Sequence, residues 1–360
     1  MPGKIPVIDF SAYSLDRNEP DSDRIQSLVN DVHEALKTVG FLYLVNHGIP
    51  EATVNSVFSA SKRFFEMPEE IKAEYESINV YEGGYDHMGK ERCNIERPTD
   101  LKQSFNYSTK GDISRYLPDQ HIPEFRASME SLWKYCVKIH ERLLIVIARG
   151  LNLKDPEFFV KLYKDIGSEN NNSILRSLYY PVVSTVEERQ LRCGEHTDYG
   201  GITLLFQDSP GLEVRDAEGN WISADLMKGA IVLNIGDLLQ RWTADILRAT
   251  PHRVVHPESS KPRQSIAFFG RPDDESVIEC VDGSDKYPPI KADQFYSDRV
   301  LPTYSGNDQN MAGQPNVAIA AAAIAISMIL LATPPASGEK RRQYCGHRAR
   351  QGRGSEVLTG

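Results

Sequence analysis

Apolar side chains at Ile25, Leu28, Val29, Val32 and Leu36 recur at intervals of three and four, so residues 23–38 predict a helix with one buried stripe. Residues 40–45 are apolar without a helical period and predict a buried strand, and residues 51–65 return to an amphipathic helix. Met129, Leu132, Trp133, Cys136, His140 and Leu143 keep helical spacing through residues 124–150, with Gly150 as the expected stop. His140 lies on that apolar stripe, which marks it as a packed or hydrogen-bonded histidine rather than a ligand. The stretch 78–108 carries Gly83, Gly84, Tyr85, Arg92, Arg97, Phe105 and Tyr107 without a clean period, and reads as a long loop or hairpin. Beyond Ser173, short β-rich segments alternate with turns at Gly200-Gly201, Pro210-Gly211 and Glu218-Gly219-Asn220. That rhythm belongs to a sandwich or jelly roll.

The residues with chemistry fall in this β-rich half. In an extended segment side chains two apart point the same way, so His196 and Asp198 can grip one ion. A second histidine must come from elsewhere. His252 follows Asp198 by 54 residues, room for several strands to leave and return, and His256, four residues further on the same side of a strand, is an alternative that spacing alone does not exclude. Two imidazoles, one carboxylate and no thiolate suit iron(II) with open positions better than a closed structural zinc site. Arg263 and Ser265, again two apart, aim a guanidinium and a hydroxyl at one interior point beside the apolar run Ile266-Ala267-Phe268-Phe269. A buried guanidinium requires an anion, so a small carboxylic acid is the natural partner, and a tyrosine of Tyr179-Tyr180 could add a third contact.

Further motifs accompany these in order: Ile5-Pro6-Val7-Ile8-Asp9-Phe10, the run from Gly40 to Pro50 that contains Asn46-His47-Gly48, Phe64-Phe65-Glu66-Met67-Pro68, Tyr180-Pro181, His196-Thr197-Asp198, Asn234-Ile235-Gly236-Asp237, His252-Arg253-Val254 and Arg263-Gln264-Ser265. With this set, over roughly the first three hundred residues, the chain resembles the isopenicillin N synthase-like branch of the iron(II)/2-oxoglutarate-dependent dioxygenases. The resemblance implies an α+β fold, a double-stranded β-helix (jelly-roll) core with flanking helices. It implies a non-haem iron(II) enzyme that uses 2-oxoglutarate and O2 to oxidise a small organic molecule of specialised metabolism by hydroxylation, desaturation or ring closure. Carried over by position, His196, Asp198 and His252 become the iron ligands, and Arg263, Ser265 and Tyr180 the holders of the 2-oxoglutarate carboxylate. His256 then marks a strand exit, Asn46 and His47 are structural, and 78–108 lines the substrate mouth. Some members use the arginine–serine pair for a substrate carboxylate without 2-oxoglutarate, so such an oxidase is the alternative, followed by a barrel that binds metal without catalysis.

The expected organisation is an N-terminal helix-and-strand region over 1–165 packing on a jelly-roll core over 166–305, then an atypical extension over 306–360. Within that extension, 317–332 is an uninterrupted alanine- and isoleucine-rich run, shorter than the roughly twenty residues a spanning helix needs. A membrane anchor is therefore disfavoured against a covering helix or an extension that replaces the family's closing helix. The 41 basic and 50 acidic residues leave a net charge of −9, which argues against nucleic acid as partner. Five cysteines (Cys93, Cys136, Cys193, Cys280, Cys345), odd in number and without paired spacing, indicate neither a disulfide framework nor a thiolate metal site. With no apolar signal stretch after Met1, a cytoplasmic monomer is the expectation.

Overall fold

The computed structural model describes residues 4–77, 83–110, 113–256 and 261–303. The strands are β1 (Val7–Asp9), β2 (Phe41–Val45), β3 (Gly84–Asp86), β4 (Gln103–Ser108), β5 (Ile174–Tyr180) and β6 (Cys193–His196). They continue with β7 (Ile202–Gln207), β8 (Leu212–Arg215), β9 (Trp221–Ser223), β10 (Ile231–Ile235), β11 (His252–Val254) and β12 (Arg263–Phe269). Eight of them form a sheet in the order β1-β2-β10-β7-β12-β5-β4-β3, and β6-β11-β8-β9 form a second, smaller sheet. The helices are α1 (Ile25–Thr38), α2 (Glu51–Phe65), α3 (Glu69–Ala73), α4 (Phe125–Gly150), α5 (Asp237–Trp242) and α6 (Ala292–Val300).

Side-chain alternation explains the layering. Leu42 and Leu44 of β2 and Ile266 and Phe268 of β12 join Leu28, Val32, Phe64, Leu132 and Leu143 of the helices in one core. The intervening residues Phe41, Tyr43 and Ala267 pack with Leu212, Val214 and Val254 of the small sheet in another. The large sheet thus has helices on one face and the small sheet on the other, which is why β2 and the second half of β12, from Ile266 to Phe269, read as continuous apolar runs. This is the jelly-roll core with flanking helices. β12 and β5 pair antiparallel over seven residues, from Arg263 opposite Tyr180 to Phe269 opposite Ile174.

The helices begin and end for local reasons. The Asp21 side chain accepts hydrogen bonds from the backbone of Asp23 and Arg24, holding a turn that delays α1 to Ile25. Gly40 turns the chain from α1 into β2 at φ +73°, where a Cβ would stand 2.1 Å from the Arg248 carbonyl oxygen. α4 ends at Gly150, but the left-handed residue that closes it is Asn152 at φ 56°. Gly150 instead makes room for α1, since a Cβ there would meet His33 at 3.0 Å.

Within 78–108, β3 and β4 pair antiparallel and extend the large sheet beside β5, so the stretch is a hairpin with a long loop. Its lack of period has a cause: Phe105 and Tyr107 enter the helix-side core, while Ser104 and Asn106 hydrogen-bond the buried Asp86 carboxylate. Among the described residues no helix is long and apolar enough to cross a membrane. The run 317–332 and the extension around it lie outside the described residues.

Candidate active site

β6 and β11 pair antiparallel with His196 opposite His252, and the register shifts one step on, between His252 and Val254. That pairing alone brings two imidazoles separated by 56 positions to a ring distance of 4.3 Å. Two residues past His196, Asp198 points Oδ1 between them, 3.8 Å from His196 Nε2 and 3.7 Å from His252 Nε2. Each ring presents Nε2 for a stated reason. His196 Nδ1 lies 2.8 Å from the Gly194 carbonyl oxygen and His252 Nδ1 3.2 Å from that of Thr250. A carbonyl only accepts, so both Nδ1 atoms carry a proton and both Nε2 atoms face inward.

The other oxygen of Asp198 is fully engaged. Oδ2 accepts from the Thr203 hydroxyl at 2.5 Å and the Asn234 amide at 2.6 Å. Asp198 can therefore offer one oxygen to an ion, and Thr203 and Asn234 are the residues that aim it. Burial pushes the Asp198 carboxyl up, but His252, His196 and the two donors outweigh it and hold the group below its ordinary value. Burial, reinforced by His196, pushes His252 down to about 4, so it is neutral and ready to ligate at neutral pH. His196, Asp198 and His252 form a cluster of three possible metal ligands, and among the described residues no fourth closes their inner face. Two imidazoles, one monodentate carboxylate and an open side fit iron(II) with exchangeable positions. His256 lies beyond β11 and outside this cluster.

The same cavity contains Arg263, Ser265 and Tyr180, on adjacent strands of the large sheet. The Arg263 guanidinium is buried, the residue being 1% exposed. It donates to Ser265 Oγ at 3.0 Å, to Gln207 Oε1 at 3.1 Å and to the Ser209 carbonyl at 3.3 Å, and stands 4.9 Å over the Tyr180 ring. None of these neighbours is an anion, and among the described residues Arg263 has no ion pair. The structure thus brings together all three residues expected to hold a carboxylate, and adds Gln207 and Ser209, which steer the fork. A cation this deep without a counter-charge is costly unless a ligand supplies one. Its planar fork matches a carboxylate.

Other residues sit as the apolar pattern implied or in ways it hid. His140 is buried against Tyr163 and Phe268, and its Nε2 finds no hydrogen-bond partner among the described residues. Burial alone holds it at about 3, so it is a packed neutral ring. His47 braces the turn after β2, accepting from the Ile49 backbone and bonding the Gly229 carbonyl. Cys93 and Cys193, a hundred residues apart in sequence, meet with their sulfurs 3.5 Å apart on the cavity wall, and together with His196 could by geometry hold an ion. The Lys102 ammonium lies on both sulfurs, at 3.0 and 3.4 Å, and also bonds Asp100 at 3.0 Å and Glu91 at 3.1 Å. A cation already fills that pocket, so a second one is disfavoured there; the pairing of these two cysteines is one that the sequence spacing did not indicate.

Comparison with known proteins agrees with this geometry. Residues 5–125 match the family described as non-haem dioxygenase in morphine synthesis N-terminal, and residues 171–272 match the 2OG-Fe(II) oxygenase superfamily. The chain is 31% identical over 350 residues to the 2-oxoglutarate-Fe(II) type oxidoreductase ppzD of Metarhizium rileyi, covering 88% of this chain and 96% of that protein. It is 35% identical over 311 residues to the proline hydroxylase buaE of Petromyces alliaceus, covering 78% and 95%. Among solved structures, a full-length Neurospora crassa protein in complex with alpha-KG superposes with a TM-score of 0.73 at 32% identity, covering 82% of this chain and 96% of that one.

Proposed function

Since the chain belongs to the iron(II)/2-oxoglutarate-dependent oxygenase family, we propose that His196, Asp198 and His252 hold its iron(II), and that Arg263, Ser265 and Tyr180 hold the distal carboxylate of 2-oxoglutarate. The protein is a dioxygenase, and its co-substrates are 2-oxoglutarate and O2. The observation that carries the ligand assignment is the shared orientation of two Nε2 atoms and Asp198 Oδ1 toward one point, with every other polar atom of the three side chains engaged elsewhere. When bound, the iron couples oxidative decarboxylation of 2-oxoglutarate, to succinate and carbon dioxide, to oxidation of a substrate C–H bond.

The chain's own contribution is placement. Thr203 and Asn234 fix the Asp198 carboxylate, Gly194 and Thr250 fix the imidazole tautomers, and Gln207 and Ser209 fix the Arg263 fork. The walls between, from Phe41, Leu178, Leu205, Leu212 and Ala267, exclude water from the reacting centre. No side chain is required as a general acid or base. The substrate is a small organic molecule that enters the same cavity beside the triad. A cytoplasmic monomer, a core over 166–305 and an added segment over 306–360 complete this reading.

The test is succinate release. Wild-type protein with iron(II) should form succinate from 2-oxoglutarate, and Arg263→Ala should raise the 2-oxoglutarate concentration needed by roughly a hundredfold, as loss of a charge-assisted pair implies. An unchanged requirement would mean that the arginine serves a substrate carboxylate instead.

A further inference from the structure

The cavity has a second buried arginine that the iron and 2-oxoglutarate reading leaves without a task. Arg263, Ser265, Ala267 and Phe269 all line the cavity from one face of β12, and Arg271, two residues past the strand end, continues that line. The two arginines therefore mark opposite ends of one wall. Phe269 pairs in register with Thr203, whose hydroxyl holds Asp198, so Arg271 stands at the metal end and Arg263 at the far end.

Arg271 is 4% exposed. Its guanidinium lies 3.4 Å over the Tyr296 ring of α6 and makes no side-chain hydrogen bond among the described residues. Its one ion-pair neighbour among them is Asp293, whose Oδ1 is 4.0 Å from Nη2, beyond hydrogen-bonding distance. The other charges of the cavity wall are spent on each other: Arg176 donates to both Glu91 oxygens at 3.1 and 3.2 Å, and Lys102 bonds Glu91 and Asp100. Arg271 is thus the one cation at the metal end whose donors still lack an acceptor among the described residues.

We propose that Arg271 anchors a carboxylate of the oxidised substrate, which makes this enzyme one that acts on an organic acid with an apolar body. The proposal rests on the iron assignment above. With one face of the guanidinium covered by Tyr296, its N–H edge is what remains, and that edge matches the two oxygens of a carboxylate. Tyr199 and Val300 border the same end and Phe269 lies between the anchor and the triad, so the apolar part of the acid rests near the metal. The two arginines then sort two acids: the inner fork takes the co-substrate and the outer one the substrate.

The experiment is anaerobic calorimetry on the enzyme loaded with iron(II) and excess 2-oxoglutarate, so that Arg263 is occupied. Benzoate, phenylacetate and hexanoate are titrated against their amides, with phenyl phosphate as a further arm. In the wild type at least one acid should bind more than about tenfold tighter than its amide, the scale of one charge-assisted pair. Arg271→Gln should abolish that preference, Arg271→Lys should keep part of it, and 2-oxoglutarate affinity should not move in either. Equal binding of acids and amides, a preference that survives Arg271→Gln, tighter binding of phenyl phosphate than of any acid, or no binding of any acid each overturns the proposal. A wild type that takes up no 2-oxoglutarate overturns the iron assignment first and this proposal with it, a failure distinct from acids and amides binding alike to a loaded enzyme.

Discussion

Two clusters of buried ionisable groups line the same cavity, and they are held in opposite ways. In the Lys102 cluster, Glu91 and Asp100 face Lys102 and Arg176, two negative charges against two positive, each within 3.2 Å of a partner. In the triad, one carboxylate faces two imidazoles and accepts from two neutral donors, with no lysine or arginine paired to it among the described residues. The first cluster is complete as folded. The second, on the proposed ligand assignment, is completed by a cation, and the contrast separates a buried network paired within the chain from one left open to an ion.

The sharpest break in that contrast comes from removing one charge from each cluster. Asp198→Ala or His196→Ala should leave no detectable succinate release and no stoichiometric iron, read by metal analysis and product assay. The metal-free fold should lose no more than about 1–3 kcal/mol, because Asp198→Ala leaves only the neutral donors Thr203 and Asn234 without their acceptor. Iron(II) should raise the thermal midpoint of the wild type through binding to the folded state, and should not raise that of Asp198→Ala. Retained turnover in either variant would refute the ligand set.

Lys102→Met should do the reverse. It strands Asp100 in a buried site and leaves Glu91 to Arg176 alone, at a cost of about 3–5 kcal/mol in urea unfolding of the metal-free protein, and added iron should not repair the network. A loss below about 1 kcal/mol would mean that water reaches the cluster and that it is not the closed network described.

The convergence of these side chains was legible in the sequence because strand geometry makes residues two apart share a face, so His196 with Asp198 and Arg263 with Ser265 pair up locally. Only the choice of His252 over His256 needed more, and the register of β11 against β6 supplies it. The helices were legible by period. The Lys102 cluster was not, since Glu91, Asp100 and Lys102 lie in or beside a loop without period, and their partner Arg176 arrives from β5. Cys93 and Cys193 meet only through that loop's path over β6. Arg271 was hidden too: an arginine after an apolar run reads as a strand's exit into solvent, and only α6 folding over it makes it an interior cation.

Acid should distinguish the clusters again, by a smaller amount. Burial raises the Glu91 carboxyl, but Arg176 and Lys102 more than offset this and bring it down to about 2, against an ordinary 4.5. A carboxyl whose folded value is depressed contributes stability fully above its unfolded value and loses it as pH falls toward the folded one. The metal-free protein should therefore lose about 3 kcal/mol between roughly pH 5 and pH 2 from this group, and Glu91→Gln should flatten that part of the profile. An identical pH slope in Glu91→Gln would place the acid sensitivity elsewhere.

The finest test concerns the residues that aim the triad without touching the ion. Asp198 Oδ2 accepts from Thr203 and Asn234, and together these donors fix the rotamer that turns Oδ1 toward the two histidines. Thr203→Val keeps the shape and removes one donor. The remaining bond from Asn234 still holds the carboxylate, so the loss is partial: iron(II) affinity should fall about tenfold, or about 1.4 kcal/mol, as loss of a ligand's supporting hydrogen bond does. Competition with a chelator reads that change, while turnover at saturating iron should stay near the wild-type value, because the geometry is recovered once the ion is in place. Unchanged affinity would mean that the backbone after β6 alone orients Asp198. In the Lys102 cluster the corresponding loss would be read in folding, whereas here it is read in metal binding, since only here does the chain leave its charge for something else to complete.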